Sequence, residues 1–376
     1  MYNGQILIGI LISKSPLVHK NTEELIYWKK LCQVGKELGA KVVVFTGKTS
    51  QVKTNSIGGW VYNGSWTHGE FPWPDVVYNQ ISSRRNESSE VVQKVFAYLK
   101  SNKIPFFNER YFDKWEIHEA LTDSPGIKGL LPESRIFKGL SELKQFVSKY
   151  DTVYIKPIKG SLGRGIIKVT SPRTSKYRLT YRVGKQGLNS IEYNTIEDLY
   201  NKIKVLVKRG TYIIQQGLNF NNLSGRPFDI RVVMQKDGTG EWRQTKVFAR
   251  VGAKGGITSN LSSGGMAYPI PEVLRPIYGK DGAATISKEI KKNSRILAGV
   301  VEDKMKLHLG EIGIDLGVDR RKRIWLIEVN SKPHKVAVSQ RADPTTIRRS
   351  LERPLRYCLF LVRKVKKQML IFKKGF

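Results

Sequence analysis

The stretch GIDLGVDRRKRIWLIEVN (Gly313–Asn330) constrains the fold more tightly than any other part of the chain. Two apolar runs flank DRRKR (Asp319–Arg323), which predicts a β-hairpin. Side chains alternate faces along a strand, so Leu326, Glu328 and Asn330 are expected on one side and Trp325, Ile327 and Val329 on the other. Both faces begin apolar, as in a covered central strand. An ionised Glu328 there is costly unless a cation or hydrogen-bond donors meet it. Two readings follow. Asp315, Glu328 and Asn330 form an oxygen ligand set with no His or Cys among them, which favours Mg²⁺ shared with substrate phosphates. Alternatively, Glu328 is salt-bridged to one of the chain's many arginines.

The bulk properties narrow the class. A chain of 376 residues with 40% hydrophobic side chains and seven Trp has material for two or three ordinary cores. No apolar run reaches transmembrane length, and ILIGILI (Ile6–Ile12) reads as a first strand, not a signal peptide. Cys32 and Cys358 match no metal or redox spacing and read as reduced thiols of an intracellular protein. The net charge of +33 attracts anionic partners. It is concentrated in two blocks, Ser161–Ser190 with seven Lys/Arg and no acid, and Lys332–Phe376 with thirteen against two.

Strand and helix signals alternate over the first hundred residues: Ile6–Ile12, a helix over Glu23–Leu38, Lys41–Phe45, Asp75–Ile81, and a helix over Val91–Leu99. That rhythm predicts an open α/β domain over residues 1–107. Gly58–Pro74 is expected to form no regular element, being rich in Gly, Pro and Trp. Further on, helices are expected at Phe112–Leu121, Leu140–Tyr150, Ile196–Val207 and Ile286–Leu307. Strands are expected at Asp151–Pro157, Ile166–Val169, Lys176–Val183 and Thr211–Leu218, and Phe228–Gln235 with Glu241–Val251 should pair through KDGTG.

YIKPIKGSLGRGIIKV (Tyr154–Val169) places a lysine and a glycine loop between two strands. Glycines let backbone N–H groups close over phosphates. The loop is neither a P-loop nor a Rossmann turn, and by itself it also suits a basic hairpin.

The order of these pieces resembles the ATP-grasp enzymes: strand–Lys–glycine loop, a strand ending in QQGL, then FDIRV, NLSSGG and D…EVN, over roughly Asn108 to Pro333. With the PDVVYN strand of the first domain, the chain more narrowly resembles the YheC/YheD-type endospore coat-associated proteins. The resemblance implies an α/β (α+β) architecture, with an ATP-grasp fold over 108–340 holding nucleotide between two subdomain sheets. A basic helix or tail over 341–376 would follow. It implies ATP and Mg²⁺ as ligands. Lys114 and Lys156 would reach the nucleotide phosphates; Gly160, Ser161, Gly163 and Gly165 would form the flap. Gln215, Gln216 and Leu218 would lie at the hinge beside the adenine, with two glutamines where the family often has an acid. Arg231 would stabilise the transferred phosphoryl group, and Arg250 would do the same or hold an anionic acceptor. Asn260, in NLSSGG, would line the acceptor site, and Asp315, Glu328 and Asn330 would hold the metal.

The activity so implied is carboxylate–amine ligation through an acylphosphate, in a cytoplasmic protein associated with the endospore coat, with an anionic carboxylate-bearing acceptor. The rival reading is a coat component or anionic-polymer (nucleic-acid) binder using the basic C-terminal segment, either as a docking amphipathic helix or as a packed helix with a solvated basic face.

Overall fold

Strand β1 (Ile6–Ile12) is buried along nearly its whole length, and the first layer of the protein is built around it. The computed structural model describes residues 4–18, 22–51, 55–160, 163–171, 176–183, 187–207, 210–220, 222–254, 259, 265–333 and 343–374. After β1 come α1 (Glu23–Glu37), β2 (Ala40–Gln51), β3 (Ser56–Tyr62), β4 (Trp66–Pro72), β5 (Val76–Asn79), α2 (Arg84–Glu87), α3 (Glu90–Ser101) and β6 (Phe106–Phe107). They form a sheet of order β4-β3-β2-β1-β5-β6, parallel from β2 to β6 and antiparallel at β3 and β4. Thr22 caps α1 by accepting from the Leu25 N–H at 3.3 Å.

The segment expected to lack regular structure is instead the β3–β4 hairpin. Its turn, Asn63-Gly64-Ser65, carries the Asn-Gly signal, with Gly64 at φ +89°. Cross-strand aromatic pairs, Trp60 with His68 and Tyr62 with Trp66, meet with tilted rings at centroid distances of 4.9 and 5.3 Å. These aromatic pairs add to the backbone ladder that joins Ser56–Tyr62 to Trp66–Pro72.

A second sheet follows helix α4 (Lys114–Thr122). It contains β7 (Ser134–Ile136), β8 (Thr152–Pro157), β9 (Ile167–Thr170), β10 (Tyr177–Arg182), β11 (Leu188–Tyr193) and β12 (Tyr212–Gln216) in the order β11-β10-β9-β8-β12-β7, antiparallel throughout. Helices α5 (Leu140–Lys149) and α6 (Ile196–Val207) cover one face, with Leu143, Phe146, Leu199 and Ile203 packed on Val153, Ile155 and Val169.

The third sheet comprises β13 (Asn222–Leu223), β14 (Arg226–Lys236), β15 (Trp242–Val251), β16 (Met266–Tyr268), β17 (Glu311–Val318) and β18 (Ile324–Asn330). Its main order is β16-β15-β14-β17-β18, with β13 paired to β14. Helix α7 (Ile270–Met305) and α4 pack on its apolar face. α7 starts well before Ile286, where its periodicity becomes legible, because Pro276 and a kink at Gly279 (φ 74°) interrupt the first turns. The hairpin predicted at DRRKR forms, with Asp319 accepting from the Arg321 and Arg323 N–H groups at 2.8 and 2.9 Å. Strict alternation along β18 fails, however. A register shift between Asp315 and Leu316 skips Ile327, so Leu326 and Val329 both enter the core. The bulge thereby separates Glu328 from the face Leu326 occupies.

Helix α8 (Pro344–Lys374) closes the chain by packing back on the first sheet. Leu351, Leu355, Tyr357, Cys358, Leu361 and Val362 join α1 and β1 in one core. The packed-helix alternative thus describes this segment through Val362: its apolar residues there are spent inside, while Arg356, Arg363, Lys364, Lys366, Lys367 and Met369 face solvent. Leu355 is fully buried. Leu355→Ala is expected to reduce stability by about 2–5 kcal/mol, checked by denaturant unfolding. Among the described residues, no helix is long and apolar enough to cross a membrane.

Candidate functional site

The cleft between the second and third sheets holds two adjoining cavities of about 660 and 690 Å³. Both are bordered by Lys114, Lys156, Gly160, Arg250, Asp315 and Glu328. Strand register explains how these groups meet. Arg231 lies opposite Asp315 across β14 and β17, Asp229 opposite Arg250 across β14 and β15, and Asp315 opposite Glu328 across β17 and β18. Phe228, Ile230 and Val232 take the core face, so the alternation leaves Asp229 and Arg231 to the cleft.

These charges form one network. Arg250 grips Asp229 with two hydrogen bonds of 2.6 Å and reaches Asp315 at 2.9 Å. Arg231 binds Asp315 in a bidentate fork, and Asn330 Nδ2 stands 3.5 Å from the same carboxylate. Burial pushes Asp315 upward, but Arg231 and Arg250 outweigh it and hold the carboxyl below its usual range. Burial likewise opposes charge on Arg250, and Asp229 and Asp315 overcome it to hold the guanidinium above its ordinary value.

Lys114, at the start of α4, donates to Glu328 Oε1 at 2.8 Å and to the Gly160 carbonyl at 2.6 Å. The side-chain cation that meets Glu328 is therefore a distant lysine, where the salt-bridge alternative offered an arginine. Asp113 caps α4 by accepting from the Trp115 N–H at 2.8 Å, fixing the turn that presents Lys114. Lys156 projects from β8 and donates to Gln215 Oε1 at 2.6 Å, an uncharged partner. Burial lowers its pKa to about 8, Glu328 opposing and Lys114 reinforcing the shift.

Of the remaining predicted residues, Gly160, Gly163, Gln215 and Leu218 border this centre. Gly160 and Gly163 border the first cavity, and Gly163 and Gly165 adopt φ of +70° and +72°, a conformation glycine takes without strain. Ser161 and Asn260 lie outside the described residues. Gln215 also donates to Ser134 Oγ at 2.9 Å, whereas Gln216 turns outward to accept from the Glu133 N–H at 3.2 Å. Leu218 lines the first cavity just past the strand end. Sequence reasoning overlooked Ser259, whose hydroxyl donates to Asp229. It also overlooked Arg84, which borders the second cavity from α2. Ser259 adjoins the NLSSGG loop, a signal that was present; Arg84 had none, since only tertiary packing brings α2 near.

Two sheets closing on a cleft lined with lysines and carboxylates is the architecture of the ATP-grasp ligases. The fold is similar to that of D-alanyl-alanine synthetase A from Vibrio cholerae, with a TM-score of 0.52 and 13% identity over 96% of this chain and 99% of that one. It is also similar to the VanG D-Ala:D-Ser ligase from Enterococcus faecalis, at 0.53 and 13% over 95% and 99%. The family model described as YheC/D like ATP-grasp matches residues 103–361, and the chain belongs to that family. It is 29% identical over 337 residues to endospore coat-associated protein YheD of Bacillus subtilis (strain 168), spanning 87% of this chain and 73% of the relative. It is 25% identical over 339 residues to YheC of the same organism, spanning 89% and 92%.

Proposed function

We propose that this chain is an Mg²⁺-dependent ATP-grasp ligase that joins a carboxylate to an amine and is associated with the endospore coat. The observation that carries this reading is the convergence of Lys114, Lys156, Asp315 and Glu328 on one cleft between two sheets. The donor set suits the metal: Asp315, Glu328 and Asn330 offer hard oxygens from neighbouring strand positions, with Asp315 beside Arg231 and Glu328 beside Lys114. When bound, Mg²⁺ would supply Lewis-acid neutralisation of phosphate oxygens.

Lys156 and Lys114 would bind the phosphates of ATP, and the Gly160–Gly165 loop would close over them. Arg231 would bear on the charge of the transferred phosphoryl group, with Arg250 holding Asp229 and Asp315 in register beside it. The acceptor carboxylate would attack the γ-phosphorus, releasing ADP and forming an acylphosphate. An amine would then displace phosphate to form the amide. The chain's own contribution is positioning and electrostatics, so no nucleophilic Ser or Cys is called for. Coat association rests on the names of the two Bacillus relatives.

Thermal unfolding with and without MgATP at fixed salt tests the reading. Ligand that binds only the native state raises the midpoint, by about 2.7 kcal/mol of stabilisation at a hundredfold excess over Kd. A magnesium-dependent rise is expected in the wild type and is expected to vanish in Glu328→Ala. A wild type indifferent to MgATP would sink the enzyme reading and favour polyanion binding through the exposed basic end of α8.

A further inference from the structure

At the edge of the second cavity, which Tyr111 and Lys332 both border, three segments distant in sequence meet in one buried polar cluster: the end of β5 with α2, the linker before α4, and the turn after β18. Glu87 is 5% exposed and accepts from Asn79 Nδ2 at 3.1 Å and from the Tyr111 N–H at 2.8 Å. Its third partner is the ammonium of Lys332, an ion pair with both side chains deeply buried. Lys332 Nζ also lies 4.9 Å from the centre of the Tyr111 ring, and the Tyr111 hydroxyl donates to the Ile81 carbonyl at 2.9 Å. Asn79 extends the cluster to the Asn108 carbonyl at 2.9 Å.

Its place in the chain gives the cluster meaning. Lys332 stands just beyond Glu328 and Asn330, and Tyr111 stands just ahead of Lys114. A buried ion pair adds little net stability over apolar residues of the same shape, because both ions surrender hydration. Its distinctive property is geometric, since only one arrangement satisfies every donor and acceptor. We propose that Glu87 and Lys332 are positioning residues: an interdomain latch that holds the N-terminal domain on the ATP-grasp body and sets Lys114 against the Glu328–Asn330 strand end. The nucleotide consequence rests on the function proposed above. The latch also holds α2 so that Arg84 forms part of the wall of the second cavity.

The test compares wild type, Glu87→Gln, Lys332→Met, the double variant and Tyr78→Phe. The last loosens a different contact between the same domains, the Tyr78 hydroxyl on Glu311 at 2.6 Å. Amide hydrogen exchange of the nucleotide-free proteins and calorimetric titration with MgATP are read well below the unfolding midpoint. Each single latch variant should speed exchange over residues 108–116 and 328–333 and weaken MgATP binding by at least about tenfold. The double variant should be less impaired than either single one, because no buried charge is left alone. Tyr78→Phe should lower the midpoint yet bind MgATP within about twofold of wild type.

Unchanged exchange in those segments would overturn the latch. Where wild type binds MgATP, latch variants that bind it equally well would also overturn it, as would a Tyr78→Phe loss of equal size, which would show general loosening. If exchange responds while wild type itself binds no MgATP, the ligase reading falls and the latch stands.

Discussion

Arg250→Met is expected to lower the unfolding free energy by about 3–5 kcal/mol, a loss large enough to threaten the native state of a marginally stable protein. Arg250 is 6% exposed and serves two carboxylates at once, Asp229 and Asp315. Methionine would fill much of the space but leave Asp229 with the Ser259 hydroxyl as its remaining side-chain partner among the described contacts. The cost is therefore an uncompensated buried charge, not a lost contact. Asp229→Asn placed in the same background should recover part of the loss, and a denaturant series on the three variants would show it. An unchanged midpoint in Arg250→Met would mean that Arg231 alone neutralises the cluster. The same network makes the protein acid-sensitive. Asp315 has its folded pKa depressed, so its contribution is present above the unfolded value of about 3.9 and is lost as pH falls through the folded pKa. Arg250→Met should flatten that acid limb.

Lys156→Met is expected to weaken MgATP binding by roughly 10- to 150-fold, the range for losing a hydrogen bond to a charged group at about 1.5–3 kcal/mol. Its pH dependence gives the sharper signature. The pKa of Lys156 is lowered to about 8 from 10.5, so folding alone becomes more favourable as pH rises through that interval, because the unfolded chain holds the proton more tightly. Phosphate binding runs the other way and needs the ammonium. Wild-type affinity should hold below about pH 8 and then fall by up to about tenfold per pH unit until the raised pKa of the complex is reached. Lys156→Met should remove that slope. Titration calorimetry at pH 7, 8 and 9 would resolve both effects, and parallel wild-type and variant curves would remove Lys156 from the phosphate site.

Much of this molecule is legible in one dimension because local patterns carry it. The β1 run, the helix over Glu23–Glu37 with its threonine cap, and the KDGTG and DRRKR turns depend on residues close in sequence. The order of lysine, glycine loop, arginine strand and D…EVN hairpin likewise survives as a linear signature. Gly58–Pro74 resisted because its strand alternation is hidden by glycines and its stabilising aromatic pairs form only across the hairpin. The bulge at Ile327 resisted for a related reason: nothing local marks it, and it appears only when β18 pairs with β17.

The sequence by itself determined which chemical groups this protein has and on which elements most of them sit, since propensity, alternation and turn chemistry act over a few residues. The tertiary structure alone decided which charges neutralise each other. Lys114 answers Glu328, Arg250 bridges Asp229 and Asp315, and Lys332 locks to Glu87. Electrostatic partnership depends on distance and burial in three dimensions, and neither is written in the spacing of residues along the chain.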